Sequence, residues 1–239
     1  MVLRVEDVSL MVGGDVFDEY GRVIGILVGF SSRVDGEVEY LEVKIADRGL
    51  ERVPGERASL RAGRLVVTPE WKYKAVKTIE ALDRAYRRRN ALTHLTAGEI
   101  PEPVIEQMRR KLEEEIKKLK VKAEQSLEEI ARRLDEIEDE SLHVASAIAQ
   151  IQMAYFSGEI ADKNFQQGMT HLRRMKQSLA SEKKDAMSVQ DKLDKILKAL
   201  ESPKHEIAKK HVAPAKEPVQ EPAIHAPAKE EAMHVQLEE

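Results

Sequence analysis

The chain has 239 residues and a formal net charge of −4, with 39 basic against 43 acidic residues, so overall charge selects neither nucleic acid nor anionic lipid as a partner. Cysteine is absent, which excludes disulfides, thiolate metal sites and cysteine nucleophiles, and no apolar run approaches the ~18 residues of a membrane span. Aromatics make up 4% and charged residues 34%, a balance that suits extended coiled coil better than a large globular core, and the early charge at Arg4, Glu6 and Asp7 argues against a signal peptide, so a cytoplasmic location is expected.

Residues 1–69 read as β. Val16, Val23-Ile24, Ile26-Leu27-Val28, Val38, Tyr40-Leu41, Val43, Ile45 and Leu65-Val66-Val67 form short β-branched or apolar runs. Turn residues divide them: Glu19-Tyr20-Gly21-Arg22, Val34-Asp35-Gly36-Glu37, Pro54-Gly55 and Arg61-Ala62-Gly63-Arg64. Glu39 to Ile45 alternates with period two, so one face is buried and the other wet. Several short strands in so little chain predict a small, partly closed barrel. The run from Gly14 to Gly25, followed by Asp35-Gly36 and Leu41-Glu42-Val43, resembles a PRC-barrel domain. That domain serves RNA-processing, photosynthetic and archaeal proteins alike, so it settles no function by itself.

A basic connecting helix is predicted over 70–97, with Ala75, Ile79, Leu82, Tyr86 and Leu92 on one face. Its cluster of Arg84, Arg87, Arg88 and Arg89 could meet the phosphates of DNA or of anionic lipid headgroups. Pairing with an acidic neighbouring helix or subunit would account for the same residues.

An antiparallel helical hairpin is predicted over 101–200, with its turn at Ser157-Gly158. In its first arm, apolar residues recur at Met108, Leu112, Ile116, Leu119, Ala123, Leu127, Ile130, Leu134, Ile137, Val144, Ile148, Ile151 and Tyr155. Steps of three and four put them on one helix face. In the second arm Phe165, Met169, Leu172, Leu179, Ala186, Leu193, Ile196 and Leu200 make the matching stripe. The expected coiled-coil core includes Leu112, Leu119, Leu127, Ile130, Leu134, Ile148, Leu172, Leu179 and Leu193. The arms carry opposite net charge, fourteen acidic against nine basic residues from Gly98 to Phe156 and six against nine from Ser157 to Leu200, which favours side-by-side packing.

Residues 201–230 alternate proline with Ala, Lys, Glu and His and read as a disordered linker. Residues 231–239 differ: Met233, His234, Val235, Gln236 and Leu237 alternate apolar and polar, a pattern suited to adding a strand to a partner's sheet edge. No constellation for catalysis or metal binding is present. The seven histidines are scattered, Val12-Gly13-Gly14-Asp15 lacks the lysine of a phosphate loop, and Glu113 to Glu115 read as helix surface. The chain therefore reads as a non-enzyme without a cofactor, of α+β class: a small N-terminal β-barrel, a long antiparallel coiled-coil hairpin and a disordered tail.

This order of parts resembles the CdvA family of archaeal cell-division proteins, which work with ESCRT-III homologues. The resemblance implies a filament-forming cytoskeletal scaffold, peripheral to the membrane at the division site, with itself, an ESCRT-III-like CdvB subunit, the membrane surface and DNA as expected partners. It implies that the CdvB contact lies in Met233 to Leu237. Two alternatives stand beside it: a PRC-barrel nucleic-acid-binding or RNA-maturation factor, and a coiled-coil adaptor that does not polymerise.

Overall fold

The computed structural model describes residues 3–45, 48–95 and 100–201; the expected linker beyond Glu201 and the peptide from Met233 to Leu237 lie outside the described residues. Six strands, β1 (Asp15–Asp18), β2 (Val23–Ser32), β3 (Val38–Ile45), β4 (Gly49–Pro54), β5 (Ala58–Arg61) and β6 (Arg64–Val67), form one sheet in the order β4-β3-β2-β1-β6-β5. Only the β1/β6 pair is parallel. A single turn of 3-10 helix, Gly55–Arg57, carries the chain from one edge strand to the other. In a flat sheet those edges would stand ~24 Å apart, at ~4.8 Å per strand. Four residue steps reach at most ~14 Å. The sheet must therefore curl into a barrel, as the turn signals predicted.

The barrel closes over Val16, Leu27, Leu41, Val43 and Leu65, all fully buried. Gly25, in the stretch that suggested the PRC-like fold, lies so close to β3 that a Cβ there would sit 2.5 Å from the Lys44 carbonyl oxygen. One element differs from the all-β expectation. Val5–Ser9 form a one-turn helix, α1, that buries Val8 in the barrel. A single turn is too short to leave a periodic signal, and only the barrel interior makes it worth forming.

Three helices follow: α2 (Glu70–Leu92), α3 (Glu102–Phe156) and α4 (Asp162–Glu201). At ~1.5 Å per residue the 55 residues of α3 span about 80 Å. The predicted turn is where it was expected. Gly158 has φ +79°, its N–H donates to Tyr155 O at 3.1 Å, and Glu159 N–H donates to Ala154 O at 2.9 Å. That is a Schellman cap, which needs a left-handed residue and finds glycine there.

α2 stops at Leu92, short of the expected 97, where Thr93 turns back with its N–H and hydroxyl both donating to Asn90 O. It is also more than a connector. Ala75, Leu82 and Ala85 share a core with Leu112, Ile116, Ala123 and Ile130 of α3 and Ala186, Val189, Leu193 and Leu200 of α4. Half of the hairpin is thus a three-helix bundle. The other half, built on Ile137, Val144 and Leu179 with Ile148 and Leu172 against them, is two helices alone. Met108 departs from the expected stripe: it is 48% exposed, whereas Ile105, one turn earlier, is buried.

Candidate functional site

The nine expected coiled-coil residues all lie on α3 and α4. Leu112, Ile130, Leu179 and Leu193 are buried, and Leu119, Leu127, Leu134, Ile148 and Leu172 are half-buried against the same clusters. On α2 the arginine cluster divides. Arg84, Arg87 and Arg88 are exposed, and Arg87 meets Asp83 one turn back at 2.8 Å. An exposed i,i+4 pair of this kind contributes only ~0.3–0.5 kcal/mol, so it leaves Arg87 available to a stronger anion. Arg89 has another task. Its guanidinium donates to the carbonyls of Leu200 at 2.6 Å and Ala199 at 3.1 Å, at the C-terminal end of α4. Those carbonyls have no intrahelical partner and carry the negative end of the helix dipole. Arg89 therefore fastens α2 to α4, and the exposed basic surface rests on the other three.

Sequence reasoning missed the junction that holds the barrel to the helices. Glu182 lies in the α4 seam between Leu179 and Ala186, where the spacing calls for an apolar side chain, and its side chain is 1% exposed. Two guanidinium groups satisfy it. Arg133 of α3 donates through Nε at 2.9 Å and Nη2 at 3.0 Å, and Arg22 of the barrel reaches it at 2.7 Å. Arg22 in turn is held by the buried Asp18 at 2.6 Å. Asp18 also accepts the backbone N–H groups of Tyr20 and Arg22, so it shapes the β1–β2 turn as well as orienting the arginine. Burial pushes the Glu182 carboxyl up, but Arg133 and Arg22 outweigh it and hold the group below the ordinary glutamate range.

A second set of contacts lies alongside. Lys72 at the start of α2 bridges Glu19 of the barrel and Asp185 of α4, both at 2.5 Å. The Tyr20 hydroxyl donates to Asp185 at 2.9 Å, and Ser178 donates to the Tyr20 carbonyl at 2.8 Å. Burial, then the bond to Asp185, pushes the Tyr20 phenol well above its usual range. By sequence the residues of the β1–β2 turn carry turn chemistry alone. The available signal was Glu182 itself, a lone acid on an otherwise apolar stripe.

Among the described residues no helix is long and apolar enough to cross a membrane, and no group of three or more His, Asp or Glu is placed to hold a metal ion. The arrangement can support assembly: a long rod, a barrel docked on its side, and an exposed basic patch.

Comparison with known proteins bears on this assembly. The family model described as a CdvA-like coiled-coil domain matches residues 70–217. The match starts at the first residue of α2, so α2 falls within the same unit as the hairpin it packs on. The chain is also similar to Cell division protein A of Sulfolobus acidocaldarius, with 28% identity over 195 residues, 81% of this chain and 82% of that protein.

Proposed function

The chain belongs to the CdvA-like coiled-coil family, and on that premise we propose that, as a cell-division protein, it is the filament-forming scaffold that recruits an ESCRT-III-like CdvB subunit to the membrane at the division site. The single observation that carries the reading is the family match across α2 and the whole hairpin. The geometry supports it. A helix of about 80 Å sets a fixed spacing. The barrel, tied to the middle of that rod through Glu182, offers a second contact surface at a constant angle. Heterologous contacts between such units continue into open filaments where the symmetry does not close. Arg84, Arg87 and Arg88 supply the surface for DNA or anionic lipid. Many tails carried on one filament recruit a second polymer by multivalency, so each peptide can bind weakly.

Negative-stain electron microscopy of the full chain, alone and with DNA or anionic liposomes, tests the scaffold. Regular filaments are the expected result, and discrete particles under every condition favour the non-polymerising adaptor. Deleting residues 231–239 should leave assembly intact and abolish CdvB binding. Undiminished binding by the truncated chain would place the contact elsewhere.

A further inference from the structure

In a chain with 34% charged residues, residues 141–158 contain no Asp, Glu, Lys or Arg. Up to Phe156 they form the last turns of α3, in the half of the hairpin where α2 adds no third helix. The seam with α4 uses one side of this stretch, through Val144 and Ile148. On another side, steps of three and four place Leu142, Ala145, Ala149, Met153 and Phe156 in one line, and all are exposed: Leu142 63%, Met153 68%, Phe156 81%. Ala149 lies 20 residues beyond Glu129, which pairs with Lys74 of α2. At ~100° per residue that turns the stripe roughly 160° away from the α2 side. Neither α2 nor the barrel docked through Arg133 covers it.

The pattern is complementary to itself. If two copies of α3 cross antiparallel at Ala149, then Ala149 meets Ala149, Met153 meets Ala145, and Phe156 meets Leu142. The centre is small on both helices, so the axes can approach to the ~8 Å lower limit of helix packing. Met153, the bulky residue nearest the centre, meets a small one, and the two bulky residues Phe156 and Leu142 meet only at the ends of the stripe. Ser146 falls beside Gln152, where both can hydrogen bond. With no charge in the stretch, two identical surfaces meet without like-charge repulsion or a desolvation cost for ions. We propose that this stripe is an isologous contact between two copies of the chain, packed antiparallel about a two-fold axis at Ala149. The footprint, one helix wide and ~21 Å long at ~1.5 Å per residue, is far below the ~800 Å² per partner of a standard interface. One such contact is weak, and it becomes effective when repeated along an assembly. The proposal builds on the scaffold reading by naming one surface through which copies meet.

The absence of native cysteine makes the test direct. In the full-length chain under mild oxidation, A149C should form a disulfide-linked dimer at least tenfold faster than S181C, an exposed control on α4. L142C and F156C should each cross-link poorly alone and well when mixed. Equal rates for A149C and S181C, or efficient self-linking of L142C, would overturn the proposal, as would a thiol at 149 shielded only on adding anionic vesicles. M153E should lower self-association in sedimentation velocity with unchanged helicity, and unchanged self-association would count against the stripe. Filaments in the wild type without the A149C cross-link would refute this contact and leave the scaffold standing. The cross-link without filaments would establish the contact and refute the scaffold.

Discussion

Glu182 and Arg133 meet between α4 and α3 through two hydrogen bonds of 2.9 and 3.0 Å, with Glu182 at a point where the spacing of α4 calls for an apolar side chain. A buried carboxylate loses its hydration, and only a partner with matching fork geometry compensates. Arg22 of the barrel donates to the same carboxylate at 2.7 Å, so the ion pair that interrupts the seam is also where the barrel docks.

Truncating Glu182 to alanine should therefore act in two places. It leaves two cations facing a cavity, at a cost of about 3 kcal/mol, near the low end for a broken buried pair because Arg133 keeps Glu136 and Glu140. Thermal melting should register the loss, and amide exchange should speed up at residues 18–22. Glu182→Leu combined with Arg133→Met should recover most of the melting temperature while the barrel stays loosened. Full protection of the β1–β2 turn in that double variant would show that docking does not depend on the carboxylate.

The acid limb of the stability curve should carry the same signature. Glu182, Glu19 and Glu70 are all held below their ordinary values, Glu182 and Glu19 despite burial, the former by Arg133 and Arg22 and the latter by Lys72 and Arg61, and Glu70 by the Lys74 hydrogen bond. A depressed carboxylate contributes fully above its unfolded value, ~4.3, and loses that contribution as pH falls through the folded value. Stability should thus be level from neutrality to about pH 5 and fall below ~4.3. Glu182→Gln should make the fall shallower in urea titrations at several pH values. At the other end, Lys72 and Tyr20 are both raised, so their shared contact with Asp185 should weaken only above about pH 10.

The basic face of α2 should separate into binding and folding residues. Replacing Arg84, Arg87 and Arg88 together by alanine should weaken binding to DNA or anionic vesicles. On duplex DNA the salt slope should fall by roughly 0.9 for each phosphate no longer neutralised. Melting should change little, since all three are exposed. Arg89→Ala should do the opposite: removing its two bonds to the end of α4 should cost ~1–3 kcal/mol and leave the salt slope unchanged. Equal effects of both variants on binding would mean that Arg89 also reaches the ligand.

Leu127→Asp with Leu134→Asp places two carboxylates against the core shared by all three helices. The penalty is a few kcal/mol, ~2–4 for each half-buried site. Helical ellipticity should collapse while the barrel, whose own core is separate, keeps its β signal. Unchanged helicity by circular dichroism would contradict the hairpin assignment.

What was legible in the sequence was everything governed by local rules. The period of three and four marked α3 and α4 because it reports which side of a helix is dry. Ser157-Gly158 marked their turn because a left-handed cap at φ +79° nearly requires glycine. Asp35-Gly36 and Ala62-Gly63 marked hairpins for the same reason. Tertiary structure decided the rest. That Arg89 caps a helix through a carbonyl 111 residues later, that α2 is the third member of a bundle, that Val8 makes a one-turn helix inside the barrel, and that Glu182 anchors the barrel to the rod all depend on partners distant in sequence. A local pattern records whether a side chain is buried; which segment buries it is settled only when the chain has closed on itself.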